Sequence, residues 1–170
     1  EKACSMLESS CKNQAIQIED WLSKNLNTFN VIKTSLGSTD YSQNQMKEIL
    51  NQYYKYDNNF SEGLYISDLN GNVITADKAK LNFNNVLSSQ WFNEGLTHIT
   101  MRYGEPYKNP AGSNVISATG LIVNNNEPVG VIGGDVTLDK ISIIVNSSLD
   151  MEGADAFLLN KKNNMVLASS

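Results

Sequence analysis

Three aromatic side chains and one acid are the residues of this sequence whose chemistry points to a binding site. Trp91 and Phe92 are adjacent on a short predicted helix, Tyr107 lies at a turn, and Asp135 ends a predicted strand. A carboxylate in a partly dry pocket is costly unless a cation pairs with it, and aromatic rings add cation–π attraction of about 0.5–2 kcal/mol. We expect these four residues to surround one cavity that holds a small cationic or amphoteric molecule without reacting with it.

Each of these residues also has a simpler role that the sequence leaves open. Asp135 would serve as a cap of the helix that follows it, and Tyr107, which follows Pro106, would pack on the surface. Trp91 and Phe92 point in different directions on a helix, so one of them belongs in the core, and Trp91 is the expected pocket wall.

Three further residues complete the set of candidate ligand contacts. They are Ser89, Arg102 and Asn109. Arg102 would either pair with Asp135 or approach an anionic group of the ligand from another strand.

The other residues with catalytic potential form no recognisable constellation. His98 is the only histidine and no zinc-ligand spacing occurs, which argues against metal catalysis and against a histidine-activated nucleophile. Glu94 and Glu105 are set aside as an acid pair for glycoside hydrolysis. Gly133-Gly134 lacks the Lys-Ser or Lys-Thr of a phosphate loop, and is expected to mark a close backbone approach or a bulge. We therefore expect no enzyme activity, no metal and no cofactor.

The composition is that of a globular protein, with 41% hydrophobic and 18% charged residues among 170. The net charge of -5 argues against nucleic acid as a partner, because no basic surplus is available to neutralise phosphates. No apolar run reaches about 18 residues, so no segment is predicted to cross a bilayer. Cys4 and Cys11 would lie about 10.5 Å apart on one helix, too far for a disulfide within it. They are expected to be free thiols, with a bridge between two chains as the alternative.

A long amphipathic helix is predicted for residues 2–36. Its apolar side chains recur every three or four residues and so share one face; they are Cys4, Leu7, Cys11, Ala15, Ile18, Leu22, Leu26, Phe29, Ile32 and Leu36. Gly37 is expected to end it, and Ser38 and Thr39 are candidate caps for a second helix over residues 42–56. The whole helix would be about 50 Å long, which is longer than one small core needs. Its first half is therefore expected to pack on a partner chain or a membrane-proximal part of the protein. A plain core helix is the alternative.

Five strands in a largely antiparallel sheet are predicted after these helices. The first two, residues 63–69 and 72–76, flank Asn70-Gly71, which predicts a tight primed turn. A short helix over 88–96 precedes strands near 99–106, 114–123 and 128–137, and an exit helix follows over 138–149. Residues 156–159 and 165–167 repeat the first hairpin, which predicts the start of a second similar module.

The order and spacing of these segments resembles the double Cache (dCache) sensor domains of bacterial chemoreceptors and sensor kinases. The matching pieces are the long helix, the hairpin over residues 64–74, Trp91-Phe92, Glu105-Pro106-Tyr107, and residues 130–139. The resemblance implies an α+β fold, in which a long N-terminal helix precedes a PAS-like five-stranded antiparallel sheet. It implies a helix at 1–36, a membrane-distal ligand-binding module at 37–149, and a truncated membrane-proximal module at 150–170.

The resemblance also implies roles for single residues. In family members that bind amino acids, an Arg two positions before the Trp holds the carboxylate, aromatics wall the pocket, and a strand-end Asp holds the ammonium. Trp91, Tyr107 and Asp135 match this pattern, whereas Phe92 replaces a Tyr, the Arg position falls on Ser89, and a further tyrosine position falls on Asn84. An amine or another small polar metabolite is therefore implied more strongly than a standard free amino acid.

The function implied is that of an extracytoplasmic small-molecule sensing domain of a bacterial transmembrane receptor. Its expected partners are a small ligand, a membrane reached through flanking helices, and a second copy bound through the N-terminal helix. The alternative is a dimerisation module that binds no small molecule and works through the apolar face of residues 4–36.

Overall fold

The computed structural model of the chain describes residues 2–54, 60, 62–139, 141, 159–160 and 165–166, with side chains described for 16, 19–54, 60, 62–139 and 141. The chain divides into two compact units. The larger unit is Leu26–Val136, and the smaller one combines residues 1–25 with residues 137–170. The predicted domain boundaries after residues 36 and 149 stay a prediction.

Helix α1 runs from Lys2 to Ser38 and so passes its predicted end at residue 36. The apolar spacing is confirmed in the larger unit, where Phe29, Ile32 and Leu36 are buried. Gly37 was expected to end the helix, and this is wrong, because the helix continues through Gly37 to Ser38. A glycine fits there for another reason: a Cβ would collide with the carbonyl oxygen of Val123.

Helix α2 spans Gln43–Gln52 and begins at a capping box. Ser42 Oγ accepts a hydrogen bond from the Gln45 backbone, and Gln45 Oε1 accepts one from the Ser42 backbone. The predicted caps Ser38 and Thr39 are therefore wrong. The helix also ends before its predicted limit at residue 56, and residues 55–59 lie outside the described part of the chain.

An antiparallel sheet forms the centre of the larger unit. Its strands are β1 (Leu64–Asp68), β2 (Val73–Thr75), β3 (Arg102–Tyr103), β4 (Tyr107–Lys108), β5 (Asn114–Asn124) and β6 (Glu127–Thr137). The order is β2-β1-β6-β5-β3, with β4 also pairing with β5. The long strands β5 and β6 are therefore central, and β1 lies beside β6. The predicted α+β architecture of a long helix and an antiparallel sheet is confirmed.

The predicted single strand over residues 99–106 is wrong in extent, because it is divided into β3 and β4. Between them, the Glu105 N–H donates to the Glu94 carboxylate at 2.8 Å instead of to β5. Pro106 has no N–H to offer. Two short strands on β5 therefore replace one long strand.

The tight primed turn lies at a different hairpin from the predicted one. Asn70 has no positive φ, and the Asp68 carboxylate instead accepts hydrogen bonds from the backbone of Asn70 and Asn72. Asn125 and Asn126, which join β5 to β6, both have positive φ of 51° and 64°. That pair of angles is typical of a type I′ turn, which suits the twist of the two long strands.

The smaller unit contains a short hairpin of β7 (Leu159–Asn160) and β8 (Met165–Val166), which pair antiparallel. The repeated hairpin predicted there is confirmed for these residues, while 156–158 and 167 lie outside the described ones. Leu138, Asp139 and Ile141 are helical, and the remainder of the predicted exit helix is likewise not described. Among the described residues, no helix is both long and apolar enough to cross a bilayer.

Candidate ligand-binding site

A cavity of about 160 Å³ lies in the larger unit. Residues 80–83 and 109–111 line it from two loops, and Trp91, Tyr107 and Asp135 line it from regular elements. Trp91 lies in the first turn of helix α3 (Gln90–Thr97), Tyr107 begins β4, and Asp135 lies near the end of β6. The pairing of β4 and β6 with β5 places Tyr107 and Asp135 on one sheet.

Four of the seven predicted ligand contacts thus line one cavity: Trp91, Tyr107, Asn109 and Asp135. The prediction that the indole, the phenol and the acid converge on one hollow agrees with this geometry. Their roles toward a ligand stay predictions.

The other three predicted contacts do not line this cavity. Phe92 is buried in the core, edge-on to Trp91 with ring centroids 5.9 Å apart. Ser89 turns its hydroxyl to the carbonyl of Val86 at 2.6 Å. Arg102 is exposed on β3, so it is not the partner of Asp135.

The Asp135 carboxylate is held by hydroxyl groups from two other strands. Tyr65 OH on β1 donates to Oδ1 of Asp135, and Ser117 Oγ on β5 donates to the same oxygen at 2.6 Å. Tyr107 OH lies 2.7 Å from Ser117 Oγ. Because the single proton of Ser117 is used toward Asp135, Tyr107 must be the donor in that contact. The surface-packing alternative for Tyr107 is therefore wrong.

The second carboxylate oxygen of Asp135 has a different environment. Both hydroxyls bond to Oδ1, and no described residue donates a hydrogen bond to Oδ2. No ion pair to Asp135 is formed within the described part of the chain. A carboxylate in a cavity whose second oxygen receives no bond from the described residues is a site for a donor, and a cationic donor gains most there.

Three aromatic rings form the apolar wall beside this acid. Trp91 lies edge-on to Tyr65 with centroids 4.7 Å apart, and to Phe83 with centroids 5.6 Å apart. Tyr65 and Phe83 contact each other at 4.9 Å. Such pairs stabilise one another by about 0.5–1.5 kcal/mol beyond their buried area. Two other rings therefore support Trp91 where it borders the cavity.

Tyr65, Ser117 and Phe83 were not found from the sequence. A weak signal existed for two of them. Ser117 is a polar residue inside the apolar run of β5, and Tyr65 pairs in register with Gly133 on β6. The predicted close backbone approach at Gly133-Gly134 is wrong in kind, because side chains lie there: a Cβ on Gly133 would lie 2.6 Å from the Tyr65 ring.

Burial controls the protonation of this group of side chains. It raises the pKa of Asp135, and the hydrogen bonds from Ser117 and Tyr65 oppose that rise only in part. Burial, and then the nearby Asp135 charge, raise the pKa of Tyr65 and of Tyr107. Both phenols therefore stay protonated and act as donors, while Asp135 is an acid whose charge is incompletely compensated.

Residues 13–143 of the chain match the model of a protein family described as the methyl-accepting chemotaxis protein-like, first PDC sensor domain. The chain belongs to this family. It is a sensor domain of the chemoreceptor type, and the sequence resemblance to sensor domains of the dCache class is confirmed. No curated protein matches the sequence significantly.

Solved chemoreceptor domains share the fold of this sensor domain. The Campylobacter jejuni Tlp3 domain in complex with L-norvaline aligns with a TM-score of 0.70 and 20% identity, over 83% of this chain and 62% of that one. The Pseudomonas aeruginosa PctB domain with L-Arg aligns with a TM-score of 0.73 and 21% identity, over 90% of this chain and 60% of that one. The Pseudomonas fluorescens CtaA domain with L-valine aligns with a TM-score of 0.76 and 20% identity, over 98% of this chain and 78% of that one. The chain thus spans about three fifths of the Tlp3 and PctB domains.

The stability of the ligand-free sensor domain is expected to depend on the ionisation of Asp135. Since its pKa is higher in the folded than in the unfolded chain, the folded state binds the proton more tightly, and this contribution falls as pH rises from 3.8 through the folded pKa. Asp68 and Asp77, with lowered pKa, act oppositely. Urea unfolding of wild type and Asp135→Asn across this range isolates the Asp135 contribution. If the free energy of unfolding of wild type rose relative to that of Asp135→Asn with rising pH, the raised pKa of Asp135 would be contradicted.

Two glycine substitutions are expected to differ because their neighbours differ in rigidity. A Cβ on Gly133 meets the Tyr65 ring at 2.6 Å, whereas a Cβ on Gly120 meets the unbranched side chains of Lys33 and Met101, also at 2.6 Å. Gly133→Ala should lower the free energy of unfolding by about 1–3 kcal/mol, because the ring is fixed by its bond to Asp135. Gly120→Ala, the matched control, should cost less. Urea unfolding measures both, and equal losses would show that Tyr65 moves freely.

Proposed function

We propose that this chain is the extracytoplasmic sensing domain of a bacterial transmembrane receptor, and that its cavity binds a small ligand through a cationic hydrogen-bond donor. The observation that carries the proposal is Oδ2 of Asp135, to which no described residue donates. An ammonium group at Oδ2 would supply the countercharge that the half-buried carboxylate lacks. Trp91 and Tyr107 border the same cavity and offer aromatic surface to the cation.

The solved relatives support this choice of ligand chemistry. Tlp3 was solved with L-norvaline, PctB with L-Arg, and CtaA with L-valine or L-serine. Each of these molecules carries an ammonium group, which is the group that Asp135 would accept. The cavity volume of about 160 Å³ favours a ligand of similar or smaller size.

The receptor context is part of the same proposal. Flanking helices would attach the domain to the membrane, and a second copy would pack along the 37-residue helix α1, on which Val31 is 70% exposed. The domain would transmit a signal only if the ligand binds one conformation better than another. Sensing of this kind needs no catalysis, and we propose that the domain performs none.

Calorimetric titration of the purified domain with three ligand classes tests the proposal. Amines and amino acids should bind, whereas small organic acids without an ammonium group should bind weakly or not at all. Binding of the organic acids alone, or of none of the three classes, would contradict the proposal.

A further inference from the structure

The chain between β3 and β4 is bound to helix α3 as well as to the sheet. The Gly104 N–H donates to the Ser117 carbonyl of β5 at 2.9 Å, and pairing with β5 resumes at Tyr107. Glu105 lies between them, and its N–H donates to the carboxylate of Glu94 on α3 at 2.8 Å. The position of Tyr107 at the cavity therefore depends on α3 and not on β5 alone.

Two side chains of α3 bind both backbone polar groups of Glu105. Oε2 of Glu94 accepts the Glu105 N–H, and Nε2 of Gln90 donates to the Glu105 carbonyl at 2.9 Å. Gln90 and Glu94 are four positions apart, so they lie on one face of the helix. We call this pair of side chains the α3 clamp.

Close packing on both sides of α3 fixes the clamp in place. A Cβ on Gly104 would collide with the Glu94 carboxylate, so the carboxylate lies directly against the chain that it binds. A Cβ on Gly95 would collide with the side chain of Val131 on β6, so α3 itself lies directly on the sheet. The clamp therefore relates β4 to a helix that has little room to shift.

The stability of α3 does not account for a glutamate at position 94. Its Oε1 is buried and receives no hydrogen bond from the described residues, which is unfavourable for a carboxylate oxygen. Burial and the Asp135 charge raise the pKa of Tyr107, and the Glu94 charge adds to this rise. The carboxylate thus acts on Tyr107 and on the chain that precedes it.

The two ends of the clamp lead to two walls of the cavity. Trp91 follows Gln90 on α3, Tyr107 follows Glu105 by two positions, and both rings line the cavity. We propose that Glu94 is a positioning residue of the cavity, which holds Tyr107 in place relative to Trp91 through the Glu105 backbone. The inference rests on the proposed function, because it concerns the shape of the cavity that binds the ligand. Such a wall favours binding only while its supporting contacts hold it in place.

Hydrogen exchange followed by NMR on the ligand-free domain tests the clamp without any ligand. Glu94→Leu removes the acceptor, whereas Glu94→Gln removes the charge and keeps an acceptor oxygen. In Glu94→Leu, exchange at the β4 amides should accelerate at least about fivefold more than exchange at the β6 amides, since one hydrogen bond is lost locally. Glu94→Gln should keep the wild-type rates. Glu48→Leu makes the same replacement at an exposed position of α2 and should also keep them.

A chemical-shift titration with propylamine, a small cation, measures the consequence for binding. Glu94→Leu should weaken propylamine binding at least about fivefold, and Glu94→Gln should stay within about twofold of wild type. Equal acceleration at β4 and β6, unchanged exchange at β4, or a Glu94→Gln variant that behaves as Glu94→Leu would overturn the clamp. Unchanged affinity in Glu94→Leu would overturn its role in binding. If wild type does not bind propylamine, the cation site of the proposed function fails, and the exchange rates alone decide on the clamp.

Discussion

Asp135→Asn is expected to abolish the binding of cationic ligands while the domain stays folded. The amide oxygen of Asn still accepts the hydrogen bonds of Tyr65 and Ser117, so the strands β1, β5 and β6 remain joined. The charge is lost, and removal of one partner of a buried charged pair costs about 2–5 kcal/mol. Calorimetry should therefore show a loss of affinity of about 30-fold or more.

The same substitution should not lower the melting temperature of the ligand-free domain. Burial raises the pKa of Asp135, which means that the ionised carboxylate opposes folding at neutral pH. Asp139→Asn makes the same change of charge at an exposed acid and should leave both affinity and melting temperature unchanged. Wild-type affinity in Asp135→Asn would remove this acid from the site, and a large drop in melting temperature would assign it a structural role instead.

Trp91→Ala is expected to cause the largest loss of stability among single substitutions at the cavity. The side chain is 4% exposed and contacts the rings of Tyr65, Phe83 and Phe92. Truncation of a buried Trp or Phe to Ala typically costs about 3–5 kcal/mol, because the surrounding side chains relax only in part into the space that remains. Urea unfolding monitored by circular dichroism measures this loss, and ligand affinity should fall with it.

A comparison with an exposed apolar residue tests whether this loss comes from burial. Ile99 is 75% exposed, so Ile99→Ala should change the free energy of unfolding by less than about 0.5 kcal/mol. Trp91→Phe keeps an aromatic ring in the cluster and should lose less than Trp91→Ala. A loss below about 1 kcal/mol for Trp91→Ala would show that the aromatic wall does not hold the cavity.

Much of the fold followed from local sequence patterns. The three-to-four spacing that buries Phe29, Ile32 and Leu36 predicted helix α1, because helix periodicity depends only on neighbours along the chain. Errors arose where a distant group decided the outcome. The Glu94 carboxylate takes the Glu105 N–H from the sheet, and Val123 lies so close to Gly37 that only a glycine fits.

The candidate site was predicted only in part, because some of its contacts also join residues that are distant in the sequence. Trp91, Tyr107 and Asp135 were recognised because residues of their type, in this order and spacing, occur in a known family. Tyr65 donates to Asp135 from 70 positions away, and no local pattern marks it as a partner. Phe92 was wrongly assigned to the site. Adjacent residues on a helix point in different directions, so only one of Trp91 and Phe92 was expected to face the cavity.

By itself the sequence determined the long helix, the antiparallel strands, the family and the acid at the end of β6. These follow from periodicity and from residue order, which are properties of the chain alone. Only the tertiary structure decided that two hydroxyls from β1 and β5 bind the same oxygen of Asp135, and that Lys80 lines the cavity with it. The physical reason is that strand pairing and loop anchoring are contacts between distant residues, which bring together side chains that no spacing along the chain relates.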